Sequence, residues 1–411
     1  MDDVVGTGPH CQYIKRRHLG QGSFGSAWKV EETATGHTLA AKIMNTNNMT
    51  PKDRGFVQNE VRCLARCSHP NIVKHVLSMD LDGMLLIVME YADGGDLYKQ
   101  IKARQPGMKY FKEHEILFIF LQLCLALDHI HGKRMMHRDL KTANVLLTCT
   151  GLVKLGDFGF SRQYEDSLSK PVGSTFCGTP YYLSPELWRR APYSKKSEMW
   201  ALGVVLYEVM ALKRPFGGKN MDELIDNILN ARYEPLPNCY TPQLQDLVRQ
   251  LLQLDPEKRP SLRDMFKQPY VRESGLMTLR RSVENHTKIP VNVRTEMVRN
   301  IDEVLDPNLV EYDGPRIVPR QGQLMRHYNE GGWQPCHLEL TPTQLVMRDS
   351  RGTEAVDLVT LTSVCPVDPS MAGDHCVFAV KNSMGKAFWF REVDPVSYNE
   401  WLTALQDSMS I

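Results

Sequence analysis

His137-Arg138-Asp139-Leu140-Lys141-Thr142-Ala143-Asn144 is followed, beyond the strand-like run Gly151 to Leu155, by Asp157-Phe158-Gly159. A lone triplet such as Asp-Phe-Gly recurs by chance. Here both pieces occur in order, with an apolar strand-like run after Asn144 and another before Asp157. One carboxylate placed as a base, with two further oxygen donors, fits phosphoryl transfer: the base accepts the proton of an attacking hydroxyl while metal ions bridge the phosphates. Asp139 is the base candidate, and Asn144 and Asp157 are the candidate magnesium ligands. Lys141 lies two residues after Asp139, so in extended backbone its side chain projects the same way. There it neutralises charge on the group in transfer.

The two pieces resemble the catalytic loop and metal loop of protein kinases. The resemblance implies an α+β bilobal fold, with a β-rich N-lobe and an α-rich C-lobe, using ATP and Mg2+. Leu19-Gly20-Gln21-Gly22-Ser23-Phe24-Gly25-Ser26-Ala27 follows the strand candidate Tyr13 to His18. This glycine-rich loop is expected to turn a hairpin over the ATP phosphates, because Gly20, Gly22 and Gly25 let backbone approach anionic oxygens. The family usually has Val where Ala27 stands, a loss of about 1 kcal/mol of apolar contact with the adenine. Ala40-Ala41-Lys42-Ile43-Met44 reads as the third strand, with Lys42 reaching the α- and β-phosphates. A buried ammonium needs a partner, and Glu60 on the helical stretch Asp53 to Cys67 is the expected one. On that helix Val57, Val61 and Leu64 give an inward face. Cys63, Cys67 and His69 hint at metal, but no second ligand pair follows. In Leu85-Leu86-Ile87-Val88-Met89-Glu90-Tyr91, the resemblance makes Met89 the gatekeeper. Main-chain groups of Glu90 and Ala92 then meet the adenine edge.

The Ser-, Thr- and Gly-rich stretch from Phe158 to Glu186 corresponds to an activation segment. Arg138, beside the base candidate, presents a cation that a phosphate on this segment would pair with. Ser167, Ser169, Ser174 and Thr175 are candidates. Glu186 is expected to pair with Arg259. One departure is Glu198, where kinases carry Asp to accept backbone N–H bonds from the catalytic loop; the extra methylene predicts looser loop geometry.

The resemblance runs from Tyr13 to Val271. Within it, Thr179-Pro180-Tyr181-Tyr182-Leu183-Ser184-Pro185-Glu186-Leu187 and Trp200-Ala201-Leu202-Gly203-Val204-Val205-Leu206-Tyr207-Glu208 resemble the NIMA-related (NEK) kinases, as does Lys219-Asn220-Met221-Asp222-Glu223-Leu224. That family implies serine/threonine specificity and cell-cycle, centrosomal or basal-body roles. It favours Thr175 as the activating residue, because Thr175 stands three residues before Gly178. Lys141 two residues after Asp139 is the serine/threonine pattern rather than the tyrosine one. The large Phe160 resembles a preference for serine acceptors.

Composition agrees with this. The 411 residues call for two or three domains, and 42% hydrophobic with 24% charged residues describes a globular protein. A formal net charge of +1 gives no case for nucleic acid or a membrane surface. Ten cysteines without CxxC pairs, and an N-terminus carrying Asp2-Asp3 without an apolar core, lead to the expectation of a cytoplasmic chain with reduced thiols. The apolar stretch Ile116 to Leu127 is short for a bilayer and reads as a buried helix.

Residues 272–315, mixed in charge and broken by Pro290, Pro307 and Pro315, read as a linker, with one helix expected from Arg294 to Leu305. Beyond them come seven strand-like segments: Gly322 to Tyr328, Cys336 to Leu340, Gln344 to Arg348, Ala355 to Leu358, Ser363 to Pro366, Cys376 to Lys381 and Ala387 to Glu392. A final helix, Pro395 to Met409, follows. Gly322-Gln323-Leu324-Met325-Arg326, Trp333 and Trp401 resemble the marks of a pleckstrin homology (PH) domain, giving a PH-like β-barrel over 316–411 after a kinase domain over 13–271. Arg326 suits the first phosphate-binding position, but Gln334 and Cys336 stand where the second strand would supply basic residues. Residues 316–411 hold eight Lys+Arg against eleven Asp+Glu, a net of −3. Near an anionic leaflet each missing basic residue forgoes roughly 1 kcal/mol. Weak or no phosphoinositide binding and a protein docking partner are therefore expected. Two readings compete: an active kinase with a targeting domain, and a pseudokinase scaffold supported by Ala27 and Glu198.

Overall fold

The structure, a computed structural model, describes residues 4–5, 12–21, 25–47, 49–81, 83–158, 162–163, 180–306, 320–328, 332–340, 344–357, 361–366, 376–382, 386–392 and 394–408. The chain divides into two compact units with the break after residue 310.

The first unit begins with an antiparallel sheet of β1 (Val4–Val5), β2 (Tyr13–Gln21), β3 (Ser26–Glu32), β4 (Thr38–Asn45), β5 (His75–Leu81) and β6 (Met84–Glu90), ordered β1-β2-β3-β4-β6-β5. The glycine-rich sequence joins β2 to β3, with Gly20 opposite Ala27. Helix α1 (Pro51–Ala65) starts at Thr50, whose hydroxyl accepts the Asp53 N–H at 3.2 Å, with Pro51 pre-set at the first helical position. It buries Val57, Glu60, Cys63 and Leu64.

The rest of the unit is mainly helical, built from α2 (Leu97–Arg104), α3 (Glu113–Gly132), α4 (Pro185–Trp188), α5 (Lys195–Ala211), α6 (Met221–Leu229), α7 (Pro242–Leu251) and α8 (Leu262–Lys267). Short strands β7 (Met135–Met136), β8 (Val145–Leu147), β9 (Val153–Leu155) and β10 (Arg162–Gln163) carry the loops between them. Helix α3 extends the apolar stretch read from sequence to 20 residues, long and apolar enough to cross a membrane. Yet 67% of that span is buried inside the protein, among the residues of the main core, so it serves as a core helix.

The expected linker is mostly helix. A π-helical segment, Tyr270–Leu276, leads into α9 (Met277–Glu284) and α10 (Val291–Leu305). Leu276, Leu279, Val283, Met297, Ile301 and Val304 all join the main core. Arg280 pairs with Asp302 at 2.6 Å, and Arg272 donates to the Leu305 carbonyl at 2.5 Å. The charges that suggested a linker tie these helices to each other, and Pro290 occupies the N-cap position of α10 rather than breaking it.

The second unit contains all seven expected strands: β11 (Arg320–Tyr328), β12 (Gly332–Leu340), β13 (Gln344–Asp349), β14 (Gly352–Asp357), β15 (Leu361–Pro366), β16 (Val377–Asn382) and β17 (Ala387–Arg391). They form one antiparallel sheet ordered β14-β13-β12-β11-β17-β16-β15. Among the described residues the outer strands β14 and β15 do not pair, so the expected closed barrel is here an open sheet. Helix α11 (Pro395–Ser408) buries Tyr398, Trp401 and Leu405 in the sheet's core with Phe378, Phe388 and Phe390.

Candidate active site

Strand register places Lys42 of β4 between Ala27 of β3 and Ile87 of β6. Its Nζ donates to Glu60 Oε1 at 2.6 Å and lies 3.5 Å from Asp157 Oδ1. Burial alone would lower the lysine's pKa, but the carboxylates of Glu60 and Asp157 outweigh it and hold it above the ordinary value. Burial also pushes the Glu60 carboxyl up, an effect the Lys42 cation only partly offsets. Asp157 is the open member of the group, its side chain 47% exposed, on backbone at φ 59°. That left-handed conformation is uncommon for a residue other than glycine, and it sits between Gly156 and Phe158 where the chain must turn.

The loop between β7 and β8 carries the base candidate. Asp139 is buried; its Oδ2 accepts from Lys141 Nζ at 2.6 Å and from Asn144 Nδ2 at 3.0 Å. Asn144 Nδ2 also donates to the Asp139 carbonyl at 2.8 Å, which leaves the amide oxygen as the atom able to ligate a cation. The loop is tied to the Asp157 segment twice. His137 Nε2 donates to the Gly156 carbonyl, and the Gly156 N–H donates to the Asn144 carbonyl, both at 3.0 Å. The rings of His137 and Phe158 meet edge to face at 5.0 Å.

Glu198 does more than its length suggested. One carboxylate oxygen accepts the Arg138 N–H at 2.7 Å, the other lies 2.6 Å from His131 Nε2, and the residue is fully buried in α5. Burial would raise its pKa, but His131 and the Arg138 N–H overcome this and hold the carboxyl below the usual range. The expected loosening is not what the structure has; the longer side chain spans both contacts at short range.

With this geometry in place, the family model described as "Protein kinase domain" matches residues 13–271. "Putative serine/threonine-protein kinase A" of Trypanosoma brucei brucei is 41% identical over 99% of this chain and 97% of its own length. The chain is a serine/threonine protein kinase. Over the kinase region it is also similar to Serine/threonine-protein kinase Nek3 of Mus musculus, at 45% identity over 61% of this chain and 47% of the relative. Nek1 of Mus musculus is 40% identical over 63% of this chain and 21% of its own length.

The kinase thus brings Lys42, Glu60 and Asp157 together in one cluster and Asp139, Lys141 and Asn144 in another, linked through Gly156. Leu19, Gly20 and Ala27 lie on β2 and β3, and Glu90 and Ala92 at and just beyond the end of β6. Gly22 and Thr175 lie outside the described residues, as does Gly178. Arg138 is described at φ 65°.

Three features escaped the sequence reading. His131, at the end of α3, holds Glu198. Lys154 on β9, buried, pairs with Glu90 at 2.7 Å and so ties the end of β6 to the strand leading into Asp157. Glu208, buried in α5, accepts from Tyr182 at 2.5 Å and Thr142 at 3.1 Å. Charged residues amid the apolar runs of β9 and α5 were the available signals, because a buried charge requires a partner. The expected Glu186–Arg259 pair is present and bidentate, at 2.8 Å through each of the two terminal guanidinium nitrogens.

Proposed function

We propose that this kinase, of NIMA-related type, uses ATP and Mg2+ to phosphorylate protein substrates, with serine favoured over threonine. The observation that carries the reading is Lys42 held at once by Glu60 and Asp157. That arrangement readies a cation for phosphate and leaves the Asp157 carboxylate open to solvent. Asp157 and the Asn144 amide oxygen are hard oxygen donors suited to Mg2+, which takes few protein ligands and keeps others for phosphate and water. Bound there, the metal would neutralise the phosphate oxygens during transfer. Asp139 accepts the proton of the attacking hydroxyl, and Lys141, already beside it, offsets charge on the phosphoryl group. The intact set favours catalysis over the pseudokinase alternative. Radiolabel transfer to casein by wild-type and Asp139→Ala protein, with and without Mg2+, is the test. Equal transfer by both would refute it.

Phosphorylation of Thr175, paired with Arg138, is the proposed switch. Mass spectrometry of fully active protein that found Thr175 unmodified would remove it.

The second unit is read as a PH-like docking module for a protein partner, acting in the cytoplasm at a centrosomal or basal-body structure. Its seven strands, Gly322 beside Trp401 and the buried Trp401 support the PH likeness. Arg326 argues against lipid. It is buried, donates to Glu354 at 2.6 Å, lies 3.7 Å from Asp349 and is flanked by the rings of Tyr328 and Phe388. Its charge is already neutralised. Cys336, across on β12, is buried.

A further inference from the structure

A cavity of about 670 Å³ lies among α2, the start of α3, the β8–β9 turn, the π-helical segment and α9. No residue assigned to phosphoryl transfer lines it. Its size falls within the roughly 300–1,000 Å³ of small-molecule sites. Phe111, Leu117, Phe118, Leu147 and Leu279 supply apolar lining.

One wall is of different chemistry. Ser274, Thr278 and Ser282 line the cavity at intervals of four residues, so they share one helical face. All three are exposed, so this wall is open to solvent. It belongs to the segment beyond Val271, where the kinase family match ends. Part of it is π-helix, a rare conformation found frequently at functional sites. Gly275 in that segment packs so tightly that a Cβ there would sit 2.7 Å from Leu121 Cδ1, which fixes the wall against α3.

The lining carries two charged side chains of opposite sign, Arg104 and Glu115. Arg104 is half-buried with its guanidinium 3.9 Å from the Phe111 ring centroid, and among the described residues no carboxylate pairs with it. Glu115, the one carboxylate among the described lining residues, has one oxygen engaged by the Lys112 N–H at 2.7 Å and keeps its charge. An apolar body beside a hydroxyl wall and an available cation is complementary to one kind of molecule.

We propose that this cavity binds a small amphiphile with an unbranched apolar tail and an anionic head. The tail lies among Phe111, Leu117, Phe118 and Leu279, and the head pairs with Arg104. Sodium decanoate is the probe, titrated calorimetrically into the full-length kinase beside decanol and decyltrimethylammonium. Decanoate is expected to bind one saturable site, more tightly than decyltrimethylammonium. Arg104→Gln should weaken decanoate at least tenfold while changing decanol less than threefold. Thr278→Trp and, independently, Ser282→Trp fill the cavity from exposed positions that leave the core untouched. Both should abolish binding, with peptide phosphorylation within twofold of wild type. Decanoate should also slow alkylation of Cys149, exposed on the cavity lining, but not of Cys239, which is exposed away from it. No saturable decanoate binding by wild type, binding that survives both Trp substitutions, or equal affinity for the cationic probe would overturn the proposal.

Discussion

Glu198→Asp tests whether the catalytic loop depends on side-chain length. The substitution withdraws the carboxylate by about one C–C bond, roughly 1.5 Å. The wild-type contacts are 2.7 Å to the Arg138 N–H and 2.6 Å to His131 Nε2. Helix α5 cannot advance to compensate, because every residue from Ser197 to Ala211 is buried. At least one contact therefore stretches to about 4 Å, beyond hydrogen-bond range. A bond to a charged group contributes about 1.5–3 kcal/mol, and Arg138 is held at φ 65°, a conformation that costs about 1–3 kcal/mol to maintain. Losing the restraint lets Arg138 relax and carries Asp139 with it. Since about 1.4 kcal/mol is tenfold in rate, kcat should fall roughly tenfold or more, with KM for ATP within twofold. Steady-state transfer to a serine peptide across an ATP titration reads both. The reading of the sequence alone predicts instead that the kinase-typical Asp leaves activity unchanged or raises it. A variant as fast as wild type would show that the loop closes the gap and would refute the length argument.

Lys42→Met and Asp157→Ala should each abolish transfer while leaving the unfolding temperature within a few degrees; more than a tenth of wild-type turnover at saturating ATP would sink the assignment. Arg259→Met strands the Glu186 carboxylate in the core, a loss of about 3–5 kcal/mol, or about 6–10 °C at roughly 2 °C per kcal/mol for a unit this large; an unchanged melting curve is the contrary result. Burial would raise Glu186, but Arg259 outweighs it and holds the carboxyl below its ordinary value. The pair's contribution is therefore complete above the unfolded carboxyl pKa of about 4.3 and disappears as pH falls through the lower folded value. Wild type should lose stability below about pH 4 more steeply than Glu186→Gln, in which Glu198 and other depressed carboxyls still titrate, as thermal unfolding across pH 3–7 would reveal. The isolated lipid question is settled by liposome flotation: binding should be weak, salt-sensitive and indifferent to Arg326→Ala, and sub-micromolar binding to one phosphoinositide lost in that variant would overturn the docking reading.

The candidate catalytic groups were legible because the chemistry proposed for them constrains their spacing. Lys42 demanded a buried anion, and Glu60, on the inward face of the next helix, supplied it. The seven strands of the second unit were legible from alternation and turn residues. Closure of that sheet was not: among the described residues its edge strands β14 and β15 do not pair although they are neighbours in sequence, and no strand's own alternation says whether it will hydrogen-bond to the next. The helix expected from Arg294 to Leu305 is present in α10, but the stretch before it, from residue 272, was misread as linker because prolines and mixed charge were taken as breaks. Leu276, Leu279, Val283, Met297, Ile301 and Val304 recur at helical intervals, which was the better signal. Glu198 was read from its length alone; the partner that determines what the length does, His131, lies on a different helix.

Because α9 and α10 are packed into the core, the folding unit does not stop where the family likeness stops. A catalytic fragment cut at Val271 would leave the surface that receives Leu276, Leu279, Val283, Met297 and Ile301 facing water. Apolar patches of that kind drive association and aggregation. Poor yield or loss of activity in such a fragment would then report missing packing, not a regulatory role for the removed sequence, and a cut after residue 305 is the one that keeps the catalytic core whole.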